Sequence, residues 1–81
     1  MNRRDKPKAV LMLLTRIREE QRLPQADVAQ HTGLSQAAMS HLETGNRRLD
    51  LPTFLVLLDF YGVTPVQFFE RLEASTNETE S

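Results

Sequence analysis

Gln36 and Ser40, and Ala37 and His41, stand in pairs one helical turn apart, within a stretch from Leu34 to Thr44 that holds no Lys and no Arg. Asn46, Arg47 and Arg48 follow closely. A glutamine amide donates and accepts at once, so it can pair with a planar edge that offers one acceptor and one donor. Guanidinium groups clamp the oxygens of phosphates or carboxylates. This set suits non-covalent recognition of a polar, anionic surface. Covalent chemistry has no support. His31 and His41 lie ten residues apart, and no carboxylate is spaced to complete a metal site with them. There is no Cys, hence no thiolate metal site and no disulfide. No nucleophile is spaced to use either histidine as a base, and no phosphate-cradling glycine loop is present. The expectation is a protein that is not an enzyme and needs no cofactor and no metal.

Charge distribution decides what net charge hides. The 81 residues sum to −1. Yet Met1 to Arg22 holds seven basic residues against three acidic ones, while Glu70 to Ser81 holds four acidic residues and one Arg. A polarised chain can meet an anion with one end only. The length implies one domain, too small to bury a large core, so a partner subunit is the expected aid to stability. No run approaches the ~20 apolar residues that cross a bilayer, and Val10–Leu14 is too short for a signal-peptide core. A Cys-free, untargeted chain suits a reducing cytoplasm.

The elements that must position these residues are helices. Residues 1–6 read as a basic flexible arm. Pro7 opens a first helix to about Gln21, with Val10, Leu13, Leu14 and Ile17 at 3/4 spacing. Leu23-Pro24 stops it. A second helix covers about Gln25–His31, with Val28 and Ala29 inward and His31 near its negative end. Gly33 then turns the chain. Ser35 caps a third helix, about Gln36–Thr44, with Met39 and Leu42 inward. Asp50 and Pro52 open an apolar fourth helix to Tyr61. Thr64-Pro65-Val66-Gln67 is a capping box for a fifth, about Pro65–Glu73. Residues 74–81 have nothing to bury and read as a disordered acidic tail. Five short helices without a strand signal make an all-α fold, with the globular domain at 7–73.

The spacing from Gln25 through Ala29, Gly33 and Met39 to Leu42 is that of a helix-turn-helix. Ala29 is small where the next helix approaches, and Leu34, Met39 and Leu42 pin that helix inward. Gln36, Ala37, Ser40 and His41 then project outward, on the face that such units lay in a major groove. In full, "IREEQRLPQADVAQHTGLSQAAMSHLETGNRR" resembles the phage repressor/Cro-like, or Xre-like, helix-turn-helix family. The likeness extends through "LPTFLVLLDFYGVTPVQFF", and the ending "VTPVQFFERLE" is also similar to that of restriction–modification control proteins.

The resemblance implies a compact lambda-repressor-like domain of five helices. It implies a sequence-specific transcription regulator, a repressor or autoregulator, bound to a palindromic double-stranded operator as a homodimer. Gln25 would contact a phosphate and brace the start of the third helix. Gln36 would read adenine, and Ala37 a thymine methyl. Ser40 and His41 would reach along the groove, beside Ser35 at the helix start. Asn46, Arg47 and Arg48 would clamp the backbone. Arg18 and Glu43 match a structural ion pair. The apolar surplus at Val63, Pro65, Val66, Phe69 and Leu72 would form the two-fold dimer interface. Pro24 departs from the family by removing a hydroxyl cap. Ala37 and Ala38 depart by standing where longer polar residues are usual. Two other functions fit the same residues: an antitoxin-type DNA-binding protein that also masks a small toxin, and a protein–protein adaptor that binds no DNA. Co-purification of a second small protein marks the former, and the absence of any DNA shift the latter.

Overall fold

The computed structural model describes residues 6–80, with side chains over residues 7–75. Residues 1–5, most of the expected basic arm, lie outside the described residues. The elements are α1 (Lys6–Glu20), α2 (Gln25–Thr32), α3 (Gln36–Thr44), α4 (Leu51–Tyr61) and α5 (Pro65–Glu80), with no strand among the described residues. The expected all-α, five-helix architecture is therefore the observed one.

Local chemistry sets most of the boundaries. Ser35 Oγ accepts the Ala38 N–H at 3.0 Å and Asp50 Oδ1 accepts the Thr53 N–H at 2.8 Å, starting α3 and α4. The capping box closes in both directions: Gln67 Oε1 accepts from Thr64 N at 2.9 Å, and Thr64 Oγ1 from Gln67 N at 3.1 Å. Pro24 precedes α2 with no side-chain cap, as its lack of a hydroxyl requires. Gly33 ends α2 at φ 79°, a left-handed geometry that a side chain resists. The turn after α1 uses Arg22 at φ 58° instead, with Leu23 N bonded back to Arg18 O at 3.2 Å.

Two expectations at the ends are corrected. α1 opens at Lys6, one residue before Pro7, so the last position of the expected arm is helical. α5 continues to Glu80, and the backbone from residue 74 is helical rather than disordered. No Gly or Pro follows Pro65 to stop it, and charged and polar residues beyond Leu72 are compatible with a solvated helix.

The helices bury one shared core. Leu13, Leu14 and Ile17 of α1 meet Val28 and Ala29 of α2, Met39 of α3, Phe54, Leu57, Leu58 and Tyr61 of α4, and Phe68 of α5. Phe68 is fully buried and meets Phe54 edge-to-face, with centroids 5.1 Å apart. Burying one such ring contributes about 1.5–3 kcal/mol. α4 and α5 turn through 95° between them. That bend holds Phe68 inside while leaving Val66 and Phe69 on the surface. No single helix among the described residues is long and apolar enough to cross a membrane.

Candidate nucleic-acid interface

α2 packs against both α3 and α4, and α3 against α1, so α3 is supported from behind along its length. Ala38, Met39 and Leu42 form its buried side. Gln36, Ala37 and His41 are exposed and Ser40 partly so, all on the opposite arc. Ala38 is thereby corrected. It is 8% exposed and faces the core, so it does not stand in the row of outward residues. One step along a helix turns a side chain by about 100°, enough to separate Ala38 from Ala37.

The turn into α3 is held by backbone bonds. Leu34 N donates to Ala29 O at 3.0 Å, and Leu34 packs against the core. After α3, Asn46 N and Arg47 N both reach His41 O, at 2.8 and 3.1 Å. These bonds fold the loop back over the end of α3, with Asn46, Arg47 and Arg48 all exposed. Ser35, Ala37, Ala38, His41 and Arg47 line an open hollow of about 270 Å³ between the first turn of α3 and this loop. Arg47 also helps to hold the Asp50 carboxyl below its ordinary pKa, behind the larger effect of the bonds from Thr53.

The expected Arg18–Glu43 pair is present and is the hub of the unit. Arg18 Nε and Nη2 reach Glu43 Oε2 and Oε1 at 2.7 and 3.0 Å, a two-pronged contact. Arg18 Nη1 donates to Leu23 O at 2.8 Å, which ties down the turn before α2. Gln25 Nε2 donates to Glu43 Oε1 at 2.8 Å. The side chains of Arg18 and Glu43 are only 13% and 9% exposed. The bond to Glu43 raises the Arg18 pKa, with burial opposing it. Gln25 was expected to brace the start of α3, but its amide holds the far end instead. A carboxylate with a free lone pair is the stronger acceptor for an amide N–H.

Several contacts have no local signal in the sequence. Gln21 Nε2 donates to Tyr61 O at 2.7 Å, satisfying the end of α4 across 40 residues. His31 does sit at the end of α2, with Nδ1 2.9 Å from Asp27 O, but its ring also stacks on Phe60 at 4.7 Å. Arg71 of α5 pairs with Glu20 of α1. Tyr61 is buried and its hydroxyl has no partner, and desolvation, with Glu43 nearby, pushes its pKa up to about 12. Of the expected interface residues, Pro65, Val66 and Phe69 are exposed, while Val63 and Leu72 pack partly on the core. The described residues hold no cluster of His, Asp and Glu able to bind a metal ion.

Comparison with known proteins places this geometry. The family model described as a helix-turn-helix domain matches residues 11–68. The chain belongs to the helix-turn-helix domain family. Its type is that of the DNA-binding, Xre-like regulators. Among solved structures, the fold is similar to the restriction–modification controller protein C.Esp1396I. A tyrosine-to-alanine variant of that protein gives a TM-score of 0.83 at 26% identity, covering 89% of this chain and 94% of that one. A tyrosine-to-phenylalanine variant gives 0.80 at 26% identity, covering 86% and 89%. The curated proteins contain no match to the chain.

Proposed function

We propose that this helix-turn-helix protein is a transcription regulator, a repressor or autoregulator, that binds a palindromic operator as a homodimer. The observation that carries it is the outward row on α3. Gln36, Ala37, Ser40 and His41 include no Lys, Arg, Asp or Glu and stand clear of the core. Arg47 and Arg48 bring charge to one end of that row. Neutral side chains suit base edges, and the flanking cations suit phosphates. Gln36 pairs with adenine N6 and N7, while Asn46 and Arg48 hold the backbone. The likeness to a restriction–modification controller supports the regulatory role. The exposed Val66 and Phe69, 66% and 49% accessible, support a two-fold interface that repeats the α3 row on two half-sites. The work is binding rather than catalysis, and it belongs in the cytoplasm where the genome is.

Selection of bound sequences from random duplex DNA, followed by titration of Gln36→Ala, tests this reading. The expected product is a palindrome with half-sites about one helical turn apart. Gln36→Ala loses about 1–3 kcal/mol at one base position per half-site. With about four to five phosphates neutralised per subunit, affinity falls with salt at about −0.9 per contact in the log–log slope. A random pool that yields no enriched sequence refutes the proposal.

A further inference from the structure

Arg22 stands where the backbone asks for a glycine. It turns the chain after α1 at φ 58°, and no other non-glycine among the described residues has a positive φ. Gly33, Gly45 and Gly62 take the comparable positions after α2, α3 and α4. A long side chain is uncommon in this conformation, and such strain gathers where function holds it in place. The residues on either side are tied down. Gln21 Nε2 bonds to Tyr61 O, Leu23 packs on the core, and the Leu23 carbonyl accepts from Arg18 Nη1. The Arg22 side chain is exposed and, among the described residues, makes no hydrogen bond or ion pair. Glu20, two residues before it, is already paired with Arg71. A cation here also suits the negative end of α1, but Arg18 already occupies that last turn.

The turn lies beside the end of α3. One guanidinium, that of Arg18, bridges the Leu23 carbonyl and the Glu43 carboxylate, at 2.8 and 2.7 Å. Gln25 reaches the same carboxylate. Arg47 and Arg48 follow Glu43 on the loop that folds back to His41 O. Two loops from different parts of the chain thus bring exposed arginines to one end of the outward row. Cations on a fixed backbone hold a polyanion with less freedom to lose than cations on a mobile one.

We propose that Arg22 is a phosphate anchor, held out by its left-handed backbone to grip the DNA strand near the end of α3 together with Arg47 and Arg48. The inference rests on the DNA-binding function above and adds a contact from the turn before α2. Arginine is kept there for affinity, against the preference of the backbone. A phosphate contact carries no sequence information, so it strengthens binding to every duplex alike.

The test uses the full chain with Arg22→Gly, Arg22→Asn and Arg22→Lys. Glycine and asparagine accept the left-handed backbone, whereas lysine keeps the charge. Each variant is read by urea unfolding, and by fluorescence anisotropy on a selected duplex and an unrelated one over a range of salt. Arg22→Gly and Arg22→Asn should hold or raise the urea midpoint. Both should bind the two duplexes more weakly, by the same factor. Their log–log salt slope should shrink by about 0.9 for each Arg22 in the bound species, so each lost contact makes the deficit about 3.5-fold larger at about 50 mM than at about 200 mM salt. Arg22→Lys should keep most of the slope. Unchanged affinity and salt slope in Arg22→Gly overturn the proposal, and weakening confined to the selected duplex overturns the phosphate assignment. A lower urea midpoint in both Arg22→Gly and Arg22→Asn assigns Arg22 to the end of α1 and overturns the argument from backbone strain. A parent chain that binds no duplex refutes the DNA-binding function itself, whereas equal binding by the parent and Arg22→Gly refutes this inference alone.

Discussion

Replacing Glu43 by alanine should unfold much of the stability margin. Its carboxylate accepts three hydrogen bonds, two from Arg18 and one from Gln25, at 2.7–3.0 Å. Removing it leaves Arg18, 13% exposed, with only the Leu23 carbonyl as partner. Breaking a buried pair from one side costs about 3–5 kcal/mol. Here some water can reach the guanidinium, so about 3 kcal/mol is expected. A domain of this length has on the order of 4–12 kcal/mol in total. Urea unfolding followed by circular dichroism should show the midpoint falling by roughly 1–3 M with the slope unchanged. The loss should persist at high salt, because a sheltered pair is weakly screened. Pairing Glu43→Ala with Arg18→Met should recover part of it, since the second change removes the stranded charge. A loss below about 1 kcal/mol, or one that vanishes in 0.5 M salt by the screening argument, would show that the pair behaves as an ordinary surface contact.

Tyr61→Phe should stabilise the protein by about 1 kcal/mol or leave it unchanged, because the hydroxyl is buried without a partner, and thermal unfolding reads this directly. The same variant should flatten the alkaline side of the stability profile. The folded pKa of Tyr61 is raised to about 12, so the unfolded chain ionises first and stability falls as pH rises from about 10 to 12. Unfolding at pH 9 and pH 11.5 should therefore diverge less in Tyr61→Phe than in the parent, and an equal drop in both discounts the assignment. Arg22→Gly should gain about 0.5–1 kcal/mol in chemical denaturation by relieving the left-handed backbone at φ 58°. Val66→Glu changes a side chain that is 66% exposed, so the fold should survive. Sedimentation should then show a dimer-to-monomer shift, and an unchanged mass places the interface elsewhere.

Helix existence was legible because local signals mark it. Ser35, Asp50 and the Thr64–Gln67 box are short-range devices, read within four residues of where they act. The end of α5 was not legible, because no breaker follows Pro65 and polar residues accept both a helix and a coil. Ala38 was misplaced because alanine carries no polarity to show which side of a helix it takes, and its inward turn depends on tertiary packing. The Arg18–Glu43 pair was visible only through the family resemblance, since 25 residues separate the partners. The links from Gln25 to Glu43, Gln21 to Tyr61 and His31 to Phe60 had no such guide. Each joins elements whose approach is set by the whole core, and sequence spacing is silent on that distance. The outward row on α3 followed from the inward one, because fixing Met39 and Leu42 inside leaves Gln36, Ala37 and His41 facing out.

α3 is started by its own Ser35 and clamped at its far end through Glu43, while among the described residues the side chains of Gln36, Ala37 and His41 make no hydrogen bond or ion pair. Substitutions at such uncommitted surface positions usually shift stability within about ±0.5 kcal/mol. The address and the chassis are thus separable. A lineage can drift to a new operator through these positions without passing through an unfolded intermediate. Two copies of the gene in one cell could diverge until neither occupies the other's site. For the same reason, exchanging this handful of side chains is a practical route to redirecting the domain while its core is left untouched.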